Sequence, residues 1–230
     1  MKTNVKALVV GGGAVGTSIA YHLAKAGWDD VMLLERDELT SGSTWHAAGL
    51  LPYFNMSYAT THIHDYSIKF YKTLEEETGL DAGFFVVGNL RMAQTDARMD
   101  EYMVYATTAE TCGVPFEWMT PAQISERWPL IRTEDLKGAI YHPTDGYINP
   151  ADVTMAMAKG ARQRGVTIGF GRRLRSMQFG PDRVTALIFG EETMGLGPAD
   201  SVILAVPPQS ATALVPGPTV PEASAAIGNA

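Results

Sequence analysis

The chain has 230 residues, of which 46% are hydrophobic and 19% are charged, a composition typical of a soluble globular protein that can bury a core. Its 18 Lys and Arg residues against 25 Asp and Glu residues give a formal net charge of −7, which disfavours nucleic acid and anionic membranes as partners. The single cysteine, Cys112, excludes a disulfide framework and a cysteine-based metal cluster.

The amino-terminal segment predicts a strand, a helix and a second strand. Val5–Val10 is a short, apolar, β-branched run typical of a buried parallel strand. Glycines 11–13 end this run, and from Ala14 the apolar residues recur at helical spacing until Gly27. A second buried strand is predicted at Val31–Glu35. Together these elements predict a βαβ unit with a right-handed crossover.

The middle of the chain predicts mainly helices. Residues 37–52 are small, polar and interrupted by glycine, which indicates a loop that contains one helical turn. Helical spacing and start signals predict helices at Asp65–Thr78, Asp96–Cys112, from Thr120-Pro121 to Trp128, and from Asn149-Pro150 to Arg164. Extended runs predict strands at Phe84–Met92 and Lys137–Tyr141.

The last part of the chain predicts strands. Val166–Phe170 follows a helix and a glycine, so we expect it in the same parallel sheet as the first two strands. Leu174–Phe179 and Val184–Phe189 predict a hairpin, and Ser201–Val206 predicts another buried strand. The tail from Pro207 is rich in proline and alanine without a clear period, so its order is left open.

These elements predict an α/β protein with a discontinuous organisation. Residues 1–52 and 147–206 form a Rossmann-like nucleotide-binding domain in this interpretation, and residues 53–146 form an inserted, helix-rich segment of a substrate domain. Residues 207–230 form the Pro/Ala-rich tail.

A glycine fingerprint joins the first strand to the first helix. Gly11 permits a tight turn, Gly13 allows the backbone to approach a pyrophosphate, and Gly16 allows close packing of helix on strand. The free N–H groups at Ala14 and Val15, at the positive end of the helix, then face the anion. The strand–turn–helix context favours a dinucleotide site over a merely flexible turn.

Glu35 ends the second strand, where an acidic side chain can accept hydrogen bonds from a ribose diol. An acid at this position argues against the 2′-phosphate of NADP. It does not distinguish NAD from FAD.

The segment Gly42–Leu50, which reads GSTWHAAGL, resembles the flavin loop of the dimethylglycine and sarcosine dehydrogenases, in the D-amino-acid-oxidase-like flavoprotein family. The segments GGGAVGTSIAYHLAKAG, VMLLERDELTSGST, FYKTLEEETG and YHPTDGYINPADVTMAMAKGAR are similar to the same proteins, so the resemblance covers about residues 5–171. It implies an FAD-binding domain of the glutathione-reductase-2 type and oxidation of a secondary or tertiary amine of the N-methylglycine type.

The resemblance also implies a set of cofactor-binding residues. In it, Ser43 and Thr44 donate to phosphate oxygens, and Ala47 to Leu50 line the flavin with backbone. Arg36 lies beside the ribose, and Leu174 falls where backbone meets the adenine. The full set is Gly11, Gly13, Ala14, Val15, Gly16, Glu35, Arg36, Gly42, Ser43, Thr44, Trp45, His46, Ala47, Ala48, Gly49, Leu50 and Leu174.

His46 matches the histidine that these dehydrogenases join covalently to the 8α carbon of FAD. A neutral imidazole nitrogen is a nucleophile that suits this bond. The alternative is a loop histidine packed between Trp45 and small residues, which the residue type alone favours.

Three further groups of residues invite a functional interpretation that we do not favour. His62–Asp65 lacks a third metal ligand nearby and its side chains do not converge on one ion, so we expect no metal there. Arg91 matches a structural or surface salt bridge better than a partner for a substrate carboxylate. His142, Asp145 and Tyr147 match a structural turn better than a catalytic group. No catalytic side chain is assigned.

The resemblance changes after about residue 172, where the segment ADSVILAVPP is more similar to amine-oxidase and hydroxysqualene-desaturase-like flavoproteins. Related flavoproteins continue beyond this point, so we expect a truncated chain, with a missing carboxy-terminal domain or an electron-acceptor protein as a partner. The alternatives to an amine dehydrogenase or oxidase are an inactive or partner-dependent FAD-binding fragment and a desaturase-like flavoenzyme. The absence of about 18 consecutive apolar residues predicts no membrane span, and we expect a cytoplasmic protein.

Overall fold

A computed structural model of the chain describes residues 5–215. The rest of the Pro/Ala-rich tail, residues 216–230, lies outside the described residues. The described chain divides into two compact units. The first contains the residues up to Ala47, the short segment Glu76–Leu80 and the residues from Pro150 onward; the second contains Ala48–Glu75 and Asp81–Asn149.

The first unit contains a four-stranded sheet, three helices and a three-stranded antiparallel sheet. Its elements are β1 (Ala7–Val10), α1 (Ala14–Lys25), β2 (Val31–Leu34), a short 3-10 turn (Ser43–His46), α5 (Pro150–Gln163), β9 (Thr167–Gly169), β10 (Ser176–Phe179), β11 (Val184–Phe189), β12 (Glu192–Gly195), β13 (Ser201–Leu204) and α6 (Pro208–Leu214).

The four-stranded sheet is parallel and has the strand order β13-β1-β2-β9. Every residue of β1 and β2 is buried, as expected for apolar runs that are covered on both faces. The predicted pairing of Val166–Phe170 with this sheet is confirmed, because β9 pairs with β2 at Leu33↔Ile168. Helices α1 and α5 pack against each other. The α/β fold class is thus confirmed.

The antiparallel sheet of the first unit contains the predicted hairpin of β10 and β11. A third strand, β12, was not predicted and pairs with β11 at Phe189↔Glu192. Leu187 and Met194 from this sheet join the buried cluster that includes Leu8 and Leu34 of the parallel sheet. Helix α6 in the described part of the tail was likewise not predicted.

The second unit contains two three-stranded sheets, two complete helices and all but the last three residues of a third helix. Its elements are β3 (Leu50–Leu51), α2 (Tyr58–Thr78), β4 (Phe84–Val86), β5 (Asn89–Ala93), α3 (Asp96–Cys112), β6 (Glu117–Met119), α4 (Pro121–Arg127), β7 (Gly138–His142) and β8 (Gly146–Ile148). The strand orders are β3-β8-β4 and β5-β7-β6. Helix α3 packs against β5 and β7.

Two predicted elements of the second unit have different bounds in the structure. Helix α2 begins at Tyr58, well before the predicted Asp65. The sequence did not predict this start because the first turns are rich in threonine, histidine and aromatic residues, which have low helix propensity. The predicted strand Phe84–Met92 is interrupted at Val87 and Gly88. Gly88 has φ +79°, and the N–H groups of both residues donate to the Asp145 carbonyl instead of a neighbouring strand.

Local capping signals fix the starts of two helices. Thr95 caps α3 by accepting from the Arg98 N–H, and Gly113 ends that helix in the left-handed region. The predicted capping box at α4 is confirmed, because Thr120 and Gln123 bond each other's backbone N–H groups. None of the helices among residues 5–215 is long and apolar enough to cross a membrane.

Candidate functional site

The first unit contains an open cavity of about 670 Å³ at the carboxyl ends of β13, β1 and β2. The chain passes from β1 to β2 on one side, and β13 lies on the other side of β1. Parallel α/β sheets bind ligands outside the carboxyl ends of the strands, at the point where the strand order changes direction. The cavity therefore lies where a nucleotide is expected.

Three glycines form or support the floor of the cavity, and a side chain at any of them would clash with a neighbouring atom. A Cβ at Gly11, which has φ +115°, would lie 2.2 Å from the Ala205 carbonyl oxygen. A Cβ at Gly13 would lie 2.8 Å from Thr44 Oγ1, and one at Gly16 would lie 1.8 Å from the Gly11 carbonyl oxygen. The turn therefore has no room for side chains at these three positions, and glycine is required for its close packing.

The amino terminus of α1 lines this cavity with Gly13, Ala14 and Val15. Gly13 is the N-cap residue and provides no capping side chain. The Ala14 N–H donates to Thr44 Oγ1 at 3.0 Å, which connects the 3-10 turn to the helix. Val15 lines the cavity and is 65% exposed, so the first helical turn remains accessible. Such a helix end favours an anionic group.

Glu35 is buried beside the glycine turn and its carboxylate is held by two backbone donors. Its Oε2 accepts from the Gly12 N–H at 2.6 Å, and its Oε1 accepts from the Asp37 N–H at 2.9 Å. Each carboxylate oxygen has a second lone pair, so the group can still accept from a hydroxyl.

Gly12 is a site residue that was not among the predicted ones. A Cβ there would lie 2.6 Å from Leu39 Cδ2 and 3.0 Å from Glu35 Oε2, so a side chain would displace the carboxylate. The signal for it was the uninterrupted run Gly11-Gly12-Gly13.

Only some residues of the loop after β2 line the cavity. Gly42, Ser43 and Thr44 line it, whereas Trp45, His46 and Ala47 lie outside its lining. The His46 imidazole is exposed and lies against the Trp45 indole, with ring centroids 4.2 Å apart and an interplanar angle of 38°. Its ring nitrogens have no hydrogen-bond partner within residues 5–215.

The next three residues of the predicted flavin loop belong to the second unit. Gly49 has φ +73°, and its carbonyl accepts from the Ile148 N–H at 2.8 Å. Leu50 pairs with Tyr147 in the sheet β3-β8-β4, and Ala48 precedes both.

Four arginines line the cavity, of which the sequence predicted one. Arg36 was expected, and Arg172, Arg173 and Arg175 were not. Arg36 forms an ion pair with Asp37 at 3.0 Å, and Arg172 forms one with Glu192. Leu174, between these arginines, lines the cavity with a side chain that is 8% exposed. The signal for this wall was the basic run GRRLR that follows β9.

Arg91 in the second unit does not form the salt bridge that we expected. No carboxylate oxygen among residues 5–215 lies within 4 Å of its guanidinium. The group instead lies over the Phe54 ring, with Cζ 4.1 Å from the ring centroid. The cation is thus stabilised by an aromatic face and not by an ion pair.

His142 and Asp145 occupy the turn between β7 and β8, and both are fully buried. The carbonyl of Asp145 accepts from the Val87 and Gly88 N–H groups, and its Oδ1 accepts from the Tyr53 N–H at 3.1 Å. These bonds connect three segments of the second unit, as expected for a structural turn.

Burial shifts the pKa values of these two side chains in directions that favour their neutral forms. Burial raises the Asp145 pKa from 3.8 to about 6, against the lowering effects of the Tyr53 N–H and the Arg91 charge. Burial also lowers the His142 pKa from 6.5 to about 4; its bond to the Pro115 carbonyl opposes this shift and the Arg91 charge adds to it.

The parallel sheet, the glycine turn and the buried acid define a dinucleotide-binding protein of the Rossmann type. The sequence model of the family described as "FAD dependent oxidoreductase" (DAO) matches residues 6–227. The chain belongs to this family, so the resemblance drawn from the sequence is confirmed. The match includes the segment after residue 172, where the resemblance changed.

Individual relatives support the same assignment. The chain is 44% identical over 181 residues to the mitochondrial dimethylglycine dehydrogenase of Rattus norvegicus, which covers 79% of this chain and 21% of the relative. It is 38% identical over 205 residues to the formaldehyde-forming 4-methylaminobutanoate oxidase of Paenarthrobacter nicotinovorans, covering 89% of this chain and 24% of the relative. The chain therefore spans about a fifth to a quarter of the length of these relatives.

A solved structure supports the fold. The L-proline dehydrogenase of P. horikoshii superposes with a TM-score of 0.81 at 24% identity, over 90% of this chain and 54% of that protein.

Proposed function

We propose that this chain binds FAD and belongs to an oxidoreductase that oxidises an N-methylated secondary or tertiary amine, of the N-methylglycine type. The observation that carries the proposal is the open glycine turn at the start of α1, which lies beside the buried Glu35 in a cavity of about 670 Å³. The names of the two relatives share a substrate class, an N-methyl amine with a carboxylate.

The residues of the first unit suit the different parts of FAD. The N–H groups at the start of α1 and the hydroxyls of Ser43 and Thr44 would bind the diphosphate. Glu35 would accept from the adenosine ribose, because its position is already fixed by two backbone N–H groups. Leu174 and Arg36 would contact the adenosine. The glycine positions fit this group, since a Cβ at Gly13 would displace the Thr44 hydroxyl that accepts from the Ala14 N–H at the start of α1.

We also propose that His46 forms a covalent bond with the 8α carbon of the flavin. Its imidazole is exposed and without a hydrogen-bond partner within residues 5–215, so a ring nitrogen could supply the electron pair. The methyl group would lose a C–H proton and the imidazole its N–H proton, and the two electrons would pass to the flavin ring and from there to dioxygen. The backbone of Ala47, Ala48, Gly49 and Leu50 would then line the flavin ring. Trp45 lies against the imidazole and limits its orientation.

Replacing His46 with alanine is expected to remove covalent flavin and leave part of the noncovalent binding, because the diphosphate and ribose contacts are unchanged. The measurement is in-gel flavin fluorescence after denaturing electrophoresis, together with the absorbance spectrum before and after acid precipitation. His62→Ala is the matched control, since it also removes an exposed histidine. A fluorescent band that persists in His46→Ala would reject the covalent assignment.

Oxidation of the amine is tested by anaerobic addition of dimethylglycine or sarcosine to the flavin-loaded chain. FAD supplies an acceptor for the hydride from the carbon next to nitrogen. The chain's part is to hold and orient that cofactor. We expect the 450 nm absorbance to bleach, and readmission of air then tests whether dioxygen or a partner protein is the electron acceptor.

A second function is compatible with the same cavity, because its lining residues suit a cofactor and none of them is assigned to catalysis. In that case the chain binds FAD without oxidising amines by itself. A normal flavin spectrum that neither amine bleaches would support this FAD-binding module and contradict independent turnover. A colourless protein that cannot be reconstituted with FAD would contradict both functions. Bound flavin without any covalent band would instead favour the desaturase-like alternative.

A further inference from the structure

One face of the sheet β5-β7-β6 in the second unit carries polar side chains under a helix. Arg91 pairs with Ile140 across β5 and β7, and His142 lies two residues further along β7, so the three side chains share one face. Helix α3 covers this face with Tyr105, which belongs to the same buried cluster as Ile140. The Tyr105 and His142 rings meet edge to face, with centroids 5.4 Å apart.

Five polar side-chain atoms in this region are inaccessible to solvent and have no hydrogen-bond partner within residues 5–215: Arg91 Nε, Tyr105 Oη, His142 Nε2, Thr144 Oγ1 and Asp145 Oδ2. Three of the residues, Tyr105, His142 and Asp145, are at most 1% exposed. Since a buried polar group without a partner is costly, five of them in one region need a common explanation.

The electrostatic effects of these groups on one another agree with this placement on the sheet face. The Arg91 charge lowers the pKa values of His142, Asp145 and Tyr105. The Asp145 charge raises the pKa of Tyr105, after the larger effect of burial. Thr144 precedes Asp145 in the turn that follows β7.

The protonation state of His142 follows from its one hydrogen bond. Nδ1 lies 3.2 Å from the Pro115 carbonyl oxygen, which can only accept, so Nδ1 carries the proton. With a pKa lowered to about 4, the ring is neutral at pH 7, and Nε2 is therefore an acceptor. Asp145 Oδ2 is a second acceptor when ionised, and Arg91 Nε is a donor.

We infer that Arg91, Tyr105, His142, Thr144 and Asp145 form an internal binding site for ordered water in the second unit. Water donates two hydrogen bonds and accepts two, so it suits a group of atoms that contains both acceptors and donors. An anion only accepts, and it would face the lone pair of His142 and the carboxyl group of Asp145. The bound water joins α3, β5 and the turn between β7 and β8.

Replacing Tyr105 with phenylalanine tests whether its hydroxyl is solvated inside the protein. A hydroxyl bonded to water contributes to stability, so we expect the urea midpoint of unfolding to fall. Tyr102→Phe is the matched control on the same helix, because the Tyr102 hydroxyl donates to the Met92 carbonyl at 3.2 Å. A fall of similar size in both variants supports the site. A rise in the midpoint for Tyr105→Phe alone would show a dry, unpaired hydroxyl and overturn it.

A high-resolution crystal structure of the full chain gives an independent readout. We expect spherical density at about 2.7–3.2 Å from at least two of the five atoms, unchanged between crystals grown with chloride and with bromide. Anomalous signal from bromide at this position would identify an anion site and overturn the inference. A region without density would overturn it as well.

Discussion

Replacing Gly16 with alanine is expected to destabilise the first unit and to abolish high-affinity FAD binding. In an ordinary helix this substitution stabilises by about 1 kcal/mol. Here the new Cβ would lie 1.8 Å from the Gly11 carbonyl oxygen and 3.3 Å from Ala205 Cβ, so the helix must move away from the glycine turn. We expect a loss of about 2–3 kcal/mol in the free energy of unfolding, measured by urea titration, and at least a tenfold weaker binding of FAD.

The control for this prediction is Gly195→Ala in β12, also in the first unit. A Cβ at Gly195 has no atom within 4 Å, and the residue is not in the left-handed region. We expect this variant to bind FAD like the unmodified chain, with a small change in the urea midpoint. Equal behaviour of the two variants would contradict the close packing of α1 on the glycine turn.

The opposite pKa shifts of Asp145 and His142 are expected to compensate each other in the pH dependence of stability. The raised pKa of Asp145 contributes stability that is complete below pH 3.8 and is lost as the pH rises to about 6. The lowered pKa of His142 contributes stability that is complete above pH 6.5 and is lost as the pH falls to about 4. Each contribution to the free energy of unfolding is on the order of 3 kcal/mol, and the two contributions change with pH in opposite directions.

Single substitutions should therefore reveal a pH dependence of stability that cancels in the unmodified chain. We expect Asp145→Asn to become more stable, relative to the unmodified chain, as the pH rises from 4 to 6.5, because only His142 then titrates. We expect His142→Asn to become less stable over the same range, because only Asp145 does. The neighbouring Arg91 stays charged throughout and adds no slope.

The measurement is the urea midpoint of each variant at several pH values between 4 and 7. The double variant is the control, and its pH dependence should again match that of the unmodified chain. Identical pH dependence in all four proteins would show that these two groups have ordinary pKa values.

The amino-terminal βαβ unit could be predicted from the sequence because its signals are local and agree with one another. The buried strands, the glycine turn and the helical period occur within consecutive residues, and the acid that completes the site ends the second strand at Glu35. The capping box at Thr120 is equally local, since both of its hydrogen bonds join residues three positions apart.

The elements that were missed depend on distant partners. Strands β6 and β12 have three and four residues, too few for a period, and each is defined only by its pairing with β7 or β11. The break at Gly88 depends on the Asp145 carbonyl, which comes from a later part of the chain. In the site, the bond from Ala14 to Thr44 and the approach of the Arg172–Arg175 segment to the cavity arise only from tertiary packing.

The pairing of β1 with β13, which comes much later in the chain, delays the completion of the parallel sheet during synthesis. β13 pairs with β1 along its whole length, from Ala7↔Ser201 to Val10↔Leu204, and Ala205 then closes one side of the glycine turn. Until Ser201 has been synthesised, this edge of β1 has no strand with which to pair. The side of the glycine turn that Ala205 closes is therefore completed only after β13 has been synthesised, so the amino-terminal βαβ unit does not form the whole coenzyme site by itself.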